Sequence, residues 1–225
     1  MIPKANNSIS FSRRIRYLLI FTPVYLMTGV VYFSIGNYTS GLTYYTLSTG
    51  FDDIIPFVPQ LEFVYIILYL LPVVPVFAID DINILKQAFI SYIMINIMAF
   101  VFFILYPVYC PKPLINTNTV SGYALSIEHS MDTTMNSFPS LHAGVSLLVF
   151  LLCRGLNSVL SVALFLTAIM IGASAVLIKQ HYVLDIAGGF LLAYIAYKIT
   201  LVLSHYNYFS KSKLFRKYAD KTKSR

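Results

Sequence analysis

Charged residues are scarce in this chain of 225 residues. Only 11% are Asp, Glu, Lys or Arg, whereas 58% are hydrophobic. A soluble domain averages about 25% charged residues, so this composition excludes an ordinary water-soluble protein and predicts an integral membrane protein. The apolar runs are long and continuous rather than alternating, which favours membrane helices over a β-barrel.

Cysteine is also nearly absent. Cys110 and Cys153 are the two cysteines, and we expect them to face opposite sides of the membrane, which excludes a disulfide between them. No cysteine spacing typical of a metal site is present. Internal repeats and low-complexity segments are lacking as well.

The chain has room for about six helices of ~20 residues with short connections. We therefore predict an all-α membrane protein, a bundle of six transmembrane helices. Residues 1–16 are a basic N-terminal segment, 17–204 the membrane domain and 205–225 a basic tail. The predicted spans are 17–35, 63–79, a third ending near 106, 139–153, 158–178, and a sixth running from the His181 motif to 204. Pro72 and Pro75 predict a bend in the second span.

Basic residues are distributed unevenly between the two sides of this bundle. The N-terminal segment, Lys86, Arg154 and the tail fall on one side, whereas the other side has only Lys112 and Lys179. The positive-inside rule then predicts that both termini are cytoplasmic. A bacterial inner membrane is the first interpretation, and an endoplasmic reticulum or Golgi membrane the alternative. The tail fits anionic lipid better than nucleic acid, because its charge is tied to a membrane span.

The loops 107–138 and 179–182 then lie together at the outer face, and each leads into a polar motif. The first motif reads Ser137-Phe-Pro-Ser-Leu-His142. Ionisable groups at the mouth of a membrane helix are costly and indicate function. Pro139 suits the first turn of the fourth span, and Ser140 offers a hydroxyl and an N–H where a helix N-terminus favours phosphate. A simple helix cap is the alternative for Ser140.

The second motif reads Lys179-Gln-His-Tyr-Val-Leu-Asp185. His181 and Asp185 are four residues apart and would share one helix face. The carboxylate can hold one imidazole nitrogen and leave the other free to attack, while His142 can donate a proton. Lys112 and Lys179 are candidate cations for a phosphoryl group, with lysines that snorkel to the interface as the alternative.

These motifs resemble those of the type 2 phosphatidic acid phosphatase superfamily, especially its branch of bacterial lipid phosphatases and inositol phosphorylceramide synthases. Residues 139–142 are similar to the family's Pro-Ser-x-His motif. Its third motif, Ser-Arg followed by His and Asp, aligns with Ser174, Ala175, His181 and Asp185. The arginine is missing, and Lys179 is a candidate substitute.

The family's first motif is the least complete in this chain. Lys112-Pro113 stands where the family has Arg-Pro, and Leu105 stands where it has the preceding lysine. The phosphate-binding set that the resemblance suggests is therefore Lys112, Ser140 and Lys179.

The resemblance implies a mechanism and a substrate class. His181 would attack phosphorus to give a phosphohistidine, Asp185 would orient it, and His142 would protonate the leaving group. Water or an acceptor alcohol would then release the phosphoryl group, with no metal and no cofactor. The substrate would be a lipid phosphate or diphosphate in the bilayer, and the oligomeric state is open.

Two other functions fit the same residues. One is a headgroup phosphotransferase like the sphingolipid synthases, and the other, from a different class, is a non-catalytic membrane scaffold or transport component that inherited the fold. Of the remaining polar residues, Asp52, Asp53 and Glu62 are expected in loops and His129 at the surface. Small residues near the motifs are expected to allow close helix packing: Ala143, Gly144, Gly188 and Gly189.

Overall fold

The computed structural model describes residues 9–222, with side chains up to residue 204. The outermost parts of the predicted N-terminal segment and tail, and the basic side chains of the tail, lie outside this description. Within it the chain forms nine α-helices. They are α1 (Phe11–Thr39), α2 (Gly50–Ile54), α3 (Glu62–Tyr65), α4 (Val74–Ala78), α5 (Ile82–Leu105), α6 (Val120–Met131), α7 (Leu141–Cys153), α8 (Ser158–Leu177) and α9 (Val183–Thr222).

The all-α prediction is confirmed, since residues 9–222 contain isolated β-bridges but no strand. Five helical segments are long and apolar enough to cross a membrane: α1, Pro59–Ala78, α5, α8 and Val183–Ser204. The chain is thus an integral membrane protein by its helices. The predicted fourth span is the short helix α7, whose 13 residues rise only about 20 Å, against about 30 Å of hydrocarbon. A sixth span, and the side on which each terminus lies, stay predictions.

The second span is broken rather than merely bent. Three 3₁₀ helices, Pro59–Leu61, Ile66–Tyr69 and Leu71–Val73, alternate with α3 and α4. Proline removes a backbone donor and clashes with the preceding turn, and the regular helix is interrupted around Pro72 and Pro75, where the sequence predicts a bend. The prediction that Glu62 is a loop residue is wrong, because it opens α3 and is buried.

Arg14 fixes the C-terminal end of this broken span. Its guanidinium donates to the carbonyl oxygens of Val76, Phe77 and Ile79 at 2.7, 2.9 and 3.0 Å, and it also pairs with Asp80. The last carbonyls of a helix have no partner inside the helix, and a basic side chain satisfies them. A residue from the predicted N-terminal segment therefore lies inside α1 and ties it to α4.

Helix α6 lies inside the segment that the sequence predicts as loop 107–138. Its first turn is capped by Thr119, whose hydroxyl accepts from the Gly122 N–H at 3.1 Å. Leu125 and Glu128 on its inner side are buried. The loop prediction is wrong for Val120–Met131, because this segment forms a helix and one side of it is buried against the rest of the protein.

Helices α7 and α9 pack closely at the point where the two motifs meet. A Cβ added to Gly189 would overlap the carbonyl oxygen of Ser140, and one added to Gly144 would lie 3.0 Å from the carbonyl oxygen of Gly189. The predicted close packing by small residues is confirmed. It brings the beginning of α7 against the first turns of α9, which positions the candidate site.

Candidate active site

The first motif enters α7 through a capped turn. Helix α7 begins at Leu141, and Ser140 is its N-cap, with its hydroxyl accepting from the Ala143 N–H at 3.3 Å. Pro139 therefore lies before the helix, and the prediction that it occupies the first turn is wrong. The Ser140 N–H donates to the carbonyl oxygen of Asp185 at 3.0 Å. The hydroxyl of Ser140 thus caps α7, and its N–H joins the two motifs directly.

The second motif is a tight turn between α8 and α9. The N–H groups of Gln180 and His181 both donate to the carbonyl oxygen of Ala175, at 2.9 and 3.1 Å. Lys179 adopts a left-handed backbone, with φ of 58°, which is unfavourable for a residue with a Cβ. His181 therefore precedes α9 rather than lying on it. The predicted nearness of His181 to Asp185 is still confirmed, because the turn folds back on the helix.

Three predicted catalytic side chains come together. His181 Nδ1 lies 3.4 Å from Asp185 Oδ2, and His181 Nε2 lies 3.1 Å from His142 Nδ1. His181 and Asp185 are buried, at 4% and 0% exposure, so water screens their interaction little. The arrangement places one imidazole between a carboxylate and a second imidazole, which suits a nucleophile oriented on one side and served by an acid on the other.

Two further side chains complete this cluster, and motif reasoning assigned neither of them. Ser137 donates to Asp185 Oδ2 and lies 3.4 Å from His181 Nδ1. Tyr65 places its hydroxyl 2.6 Å from His142 Nδ1 and its ring edge-on to that imidazole. Ser137 stands at the beginning of the first motif, so its position was a signal. A tyrosine inside an apolar run gives no such signal.

The segment around Asp52 holds the second motif in place. Asp52 Oδ1 accepts from the Val183 N–H at 2.8 Å, and Oδ2 accepts from the Thr49 N–H at 2.8 Å. Burial acts to raise the pKa of Asp52, but these hydrogen bonds outweigh it and the pKa lies below its ordinary value. The expectation that Asp52 is a simple loop residue is wrong, because it is buried in α2 and caps α9.

Lys179 contacts the same segment around Asp52. Its ammonium donates to the carbonyl oxygens of Asp52 and Ile55 at 2.8 and 2.7 Å. These bonds help to offset the left-handed backbone at this residue. The structure therefore places the predicted substitute for the missing arginine on backbone oxygens of the α2 segment.

Lys112 is held in a similar way, by carbonyl oxygens at the end of α6. Its ammonium donates to the carbonyl oxygens of His129 and Asp132 at 3.0 and 2.8 Å. Burial lowers the pKa of Lys112, while the negative charges of Asp132 and Glu128 act to raise it. Lys112 fixes the end of α6, and its role as a phosphate ligand stays a prediction.

An acidic, hydrogen-bonded wall stands beside His142. Tyr32 donates to Asp132 Oδ1 and Tyr69 donates to Glu128 Oε1, each at 2.7 Å, while Gln180 donates to the other oxygen of Asp132. Burial raises the pKa of the Glu128 carboxyl. Neighbouring His129, expected at the surface, has both ring nitrogens buried without a partner among the described residues, and burial lowers its pKa to about 4.

A cavity of about 590 Å³ connects this wall with the apolar side of the bundle. His142 and Asp132 line one part of it, and Leu26 and Val30 of α1 line another. Leu26 and Val30 are 60% and 61% exposed and belong to the candidate membrane span α1, so exposed apolar side chains form this part of the cavity. Its volume lies within the range of small-molecule sites, and it gives an apolar group access to His142.

The comparison with protein families decides the relationship. A model of the PAP2 superfamily matches residues 46–199. The chain belongs to the PAP2 superfamily. The resemblance inferred from the two motifs is thereby confirmed, and membership of PAP2 indicates a phosphatase or phosphotransferase. No curated protein and no solved structure matches the chain. The matched PAP2 region begins before α2 and includes His142, His181 and Asp185.

Proposed function

We propose that this protein is a membrane lipid phosphate phosphatase or phosphotransferase that works through a phosphohistidine on His181. The observation that carries the proposal is the 3.1 Å contact between His181 Nε2 and His142 Nδ1 beside a cavity open to the apolar side. Two imidazoles from different segments, one of them next to a buried carboxylate, form a suitable pair for covalent phosphoryl transfer. Membership of PAP2 supports the same reaction class.

The proposed reaction has two balanced halves. His181 Nε2 attacks phosphorus, the bond from phosphorus to the leaving oxygen breaks, and protonated His142 gives its proton to that oxygen. Water or an acceptor alcohol then attacks the phosphoryl group while His142 takes its proton, and the nitrogen–phosphorus bond breaks. Asp185 orients His181 in both halves. The steps as written need no metal ion or other cofactor.

The cavity supports a lipid as the substrate. Its apolar walls suit the alcohol part of a lipid phosphate or diphosphate, which would enter sideways from the bilayer and bring its headgroup to the histidines. Lys112, Ser140 and Lys179 stay proposed phosphate ligands. Each ammonium has three N–H donors and gives two of them to carbonyl oxygens, so in the proposed role the third donates to a phosphate oxygen.

The proposed topology places this site at the outer face of a six-span bundle with both termini in the cytoplasm. The uneven distribution of Lys and Arg supports it. A bacterial inner membrane is the proposed location, with an endoplasmic reticulum or Golgi membrane as the alternative.

The test uses the purified full chain in detergent with a chelator present. Phosphatidic acid, phosphatidylglycerol phosphate, a polyprenyl diphosphate and a phosphoinositide are offered separately, and inorganic phosphate is measured. We expect release with at least one lipid, and a loss of at least about 100-fold in His181→Ala. His129→Ala is the matched histidine control and should keep its activity, because the His129 ring nitrogens bond to no described residue. Full activity in His181→Ala would refute the phosphohistidine.

Transfer to an alcohol is the second form of the same chemistry. In the second half of the proposed reaction the leaving group has departed, and an acceptor alcohol takes its place in the cavity of about 590 Å³ beside His142. Labelled lipid phosphate incubated with lipid alcohols would then give a labelled product that depends on His181, in place of free phosphate. A headgroup transfer of the sphingolipid-synthase type is tested in the same assay with a second donor, a phospholipid labelled in its headgroup.

A non-catalytic scaffold is the alternative from another class. The observation that favours it is the engagement of Lys112 and Lys179 by backbone carbonyl oxygens. If the wild-type protein neither releases phosphate nor gives a labelled transfer product, the scaffold is supported and the enzyme is contradicted.

A further inference from the structure

Tyr65 lies deep in the broken second span, against the histidine pair. Its side chain is fully buried, at 0% exposure, and its hydroxyl lies 2.6 Å from His142 Nδ1. The ring centroids of Tyr65 and His142 are 5.2 Å apart at an interplanar angle of 72°. The hydrogen bond and the edge-on ring together fix where the His142 imidazole lies.

His142 Nδ1 has two neighbours that compete for it. The Tyr65 hydroxyl lies at 2.6 Å and His181 Nε2 at 3.1 Å. A proton shared between the two imidazoles would occupy the lone pair with which His181 must attack phosphorus. A phenol is both a donor and an acceptor, so Tyr65 can give Nδ1 a different partner.

The protonation of His142 follows from that choice. When Tyr65 donates to Nδ1, the proton of a neutral His142 lies on Nε2. His142 Nε2 makes no hydrogen bond to any described residue, and His142 lines the cavity. That tautomer therefore keeps an N–H on Nε2 and leaves His181 Nε2 free for phosphorus. When His142 takes up a second proton and becomes the acid of the proposed reaction, its Nδ1–H donates to the Tyr65 oxygen, and the Nε2 proton is the one given to the leaving oxygen.

We propose that Tyr65 is a positioning residue that holds the proton of His142 on Nε2 and releases His181 for attack. The proposal rests on the proposed function, since it assigns a role within that reaction. Tyr65 itself forms and breaks no covalent bond to phosphorus. Its fragmented helical surroundings, Glu62–Tyr65 followed by the 3₁₀ turn Ile66–Tyr69, allow the hydroxyl to reach a residue of α7.

The test compares two leaving groups in Tyr65→Phe, which keeps the ring and removes the hydroxyl. An alkyl alcohol needs a proton to leave, whereas nitrophenolate leaves without one. With dioctanoyl phosphatidic acid, kcat should fall about 10- to 100-fold with little change in KM, because general acid catalysis contributes about 10²- to 10⁴-fold. With 4-nitrophenyl phosphate, kcat should fall by a clearly smaller factor, because the attack of His181 is slowed with both substrates but protonation of the leaving group matters only for the alkyl alcohol. Tyr194→Phe, an exposed tyrosine of α9, is the control and should match the wild type.

A double-mutant comparison separates positioning from a structural defect. If Tyr65 acts through His142, Tyr65→Phe added to His142→Gln should cause no further loss. If Tyr65→Phe lowers kcat of His142→Gln by the same factor as it lowers that of the wild type, the proposal is overturned. An equal loss of kcat with both leaving groups would overturn it as well. Elution of each variant as a folded species in size-exclusion chromatography is checked first.

A measurement without turnover tests the effect of Tyr65 on His142 separately from the proposed reaction. Histidine labelled with ¹⁵N reports the tautomer of each ring, and His142 is assigned by its absence in His142→Gln. We expect the Nε2–H tautomer in the wild type and a change toward Nδ1–H in Tyr65→Phe. An unchanged tautomer overturns the role of Tyr65. If the tautomer changes as expected in a protein inactive toward every substrate, the positioning is supported and the proposed reaction alone fails.

Discussion

Ser137 shows how much a single hydroxyl can support at this site. It donates to Asp185 Oδ2, which also accepts from the Tyr182 N–H at 2.9 Å. The other carboxylate oxygen is buried with no partner among the described residues. A buried charge with few hydrogen bonds is costly, so each donor to Asp185 matters both for folding and for the orientation of His181.

We therefore expect Ser137→Ala to lose about 1–3 kcal/mol of unfolding free energy and about tenfold in kcat. Thermal unfolding in detergent and phosphate release measure the two effects. Ser130→Ala removes an exposed serine that bonds only to its own helix and is the control. Unchanged stability and activity in Ser137→Ala would contradict the role assigned to this hydroxyl.

Asp52 gives a prediction about pH at the same scale. Its pKa is lowered in the folded protein by hydrogen bonds to its charged form, whereas an unfolded Asp has a pKa of about 3.9. A lowered pKa stabilises the fold fully above the ordinary pKa, and this stabilisation is lost as the pH falls through the lowered pKa.

Asp52→Asn should accordingly lower the free energy of unfolding by about 1–3 kcal/mol at pH 7. The difference in this free energy from the wild type should shrink as the pH falls below about 4. Thermal unfolding over a pH series checks this. The neighbouring exposed Asp53→Asn should follow the wild-type curve. A difference that is constant with pH would mean that the charge of Asp52 does not act in this way.

At the scale of elements, the contact between α7 and α9 decides whether the two motifs meet. Gly189 lies against the carbonyl oxygen of Ser140, so that any Cβ would force the helices apart. The Ser140 N–H also bonds to the Asp185 carbonyl oxygen at 3.0 Å. Separation of these helices would move His142 away from His181 without touching either histidine.

Gly189→Ala should reduce phosphate release at least about tenfold, because a displacement of about 1 Å can cost about 100-fold in rate. Gly41→Ala is the matched control, since the nearest atom to its added Cβ is 3.9 Å away. Assays of both variants at equal folded fraction separate geometry from unfolding. Wild-type activity in Gly189→Ala would show that the helix contact tolerates the methyl group.

At the scale of the whole molecule, the proposed topology can be tested by labelling. Asn118→Cys lies in the exposed segment before α6, and Gly155→Cys lies in the exposed turn between α7 and α8. With both termini cytoplasmic, a membrane-impermeant maleimide should label intact cells at position 118 and require permeabilisation at position 155. The native Cys110 and Cys153 are buried, so the parent chain gives the background. The reversed pattern would invert the proposed orientation, and labelling of both from outside would remove α7 as a span.

The sequence by itself determined the class of this molecule and the central residues of its candidate site. Scarce charge and continuous apolar runs are properties of composition, so membrane helices could be predicted without any knowledge of packing. His142, His181 and Asp185 stand in short motifs with characteristic spacing, and the predicted PAP2 membership is confirmed by the family match. Local breaks caused by Pro72 and Pro75 were also predictable, since proline acts through its own backbone.

Only the tertiary structure decided which other groups serve the site. Tyr65 meets His142 across 77 positions of sequence, and Asp52 caps α9 across 131. Such pairs leave no periodic or local signal, because they depend on how the helices pack. The same packing stabilises α6 in a segment that the sequence predicts as a loop. It also brings Lys112 and Lys179 to backbone carbonyl oxygens. The sequence shows that a lysine is charged, but the packing of the helices decides which group its ammonium contacts.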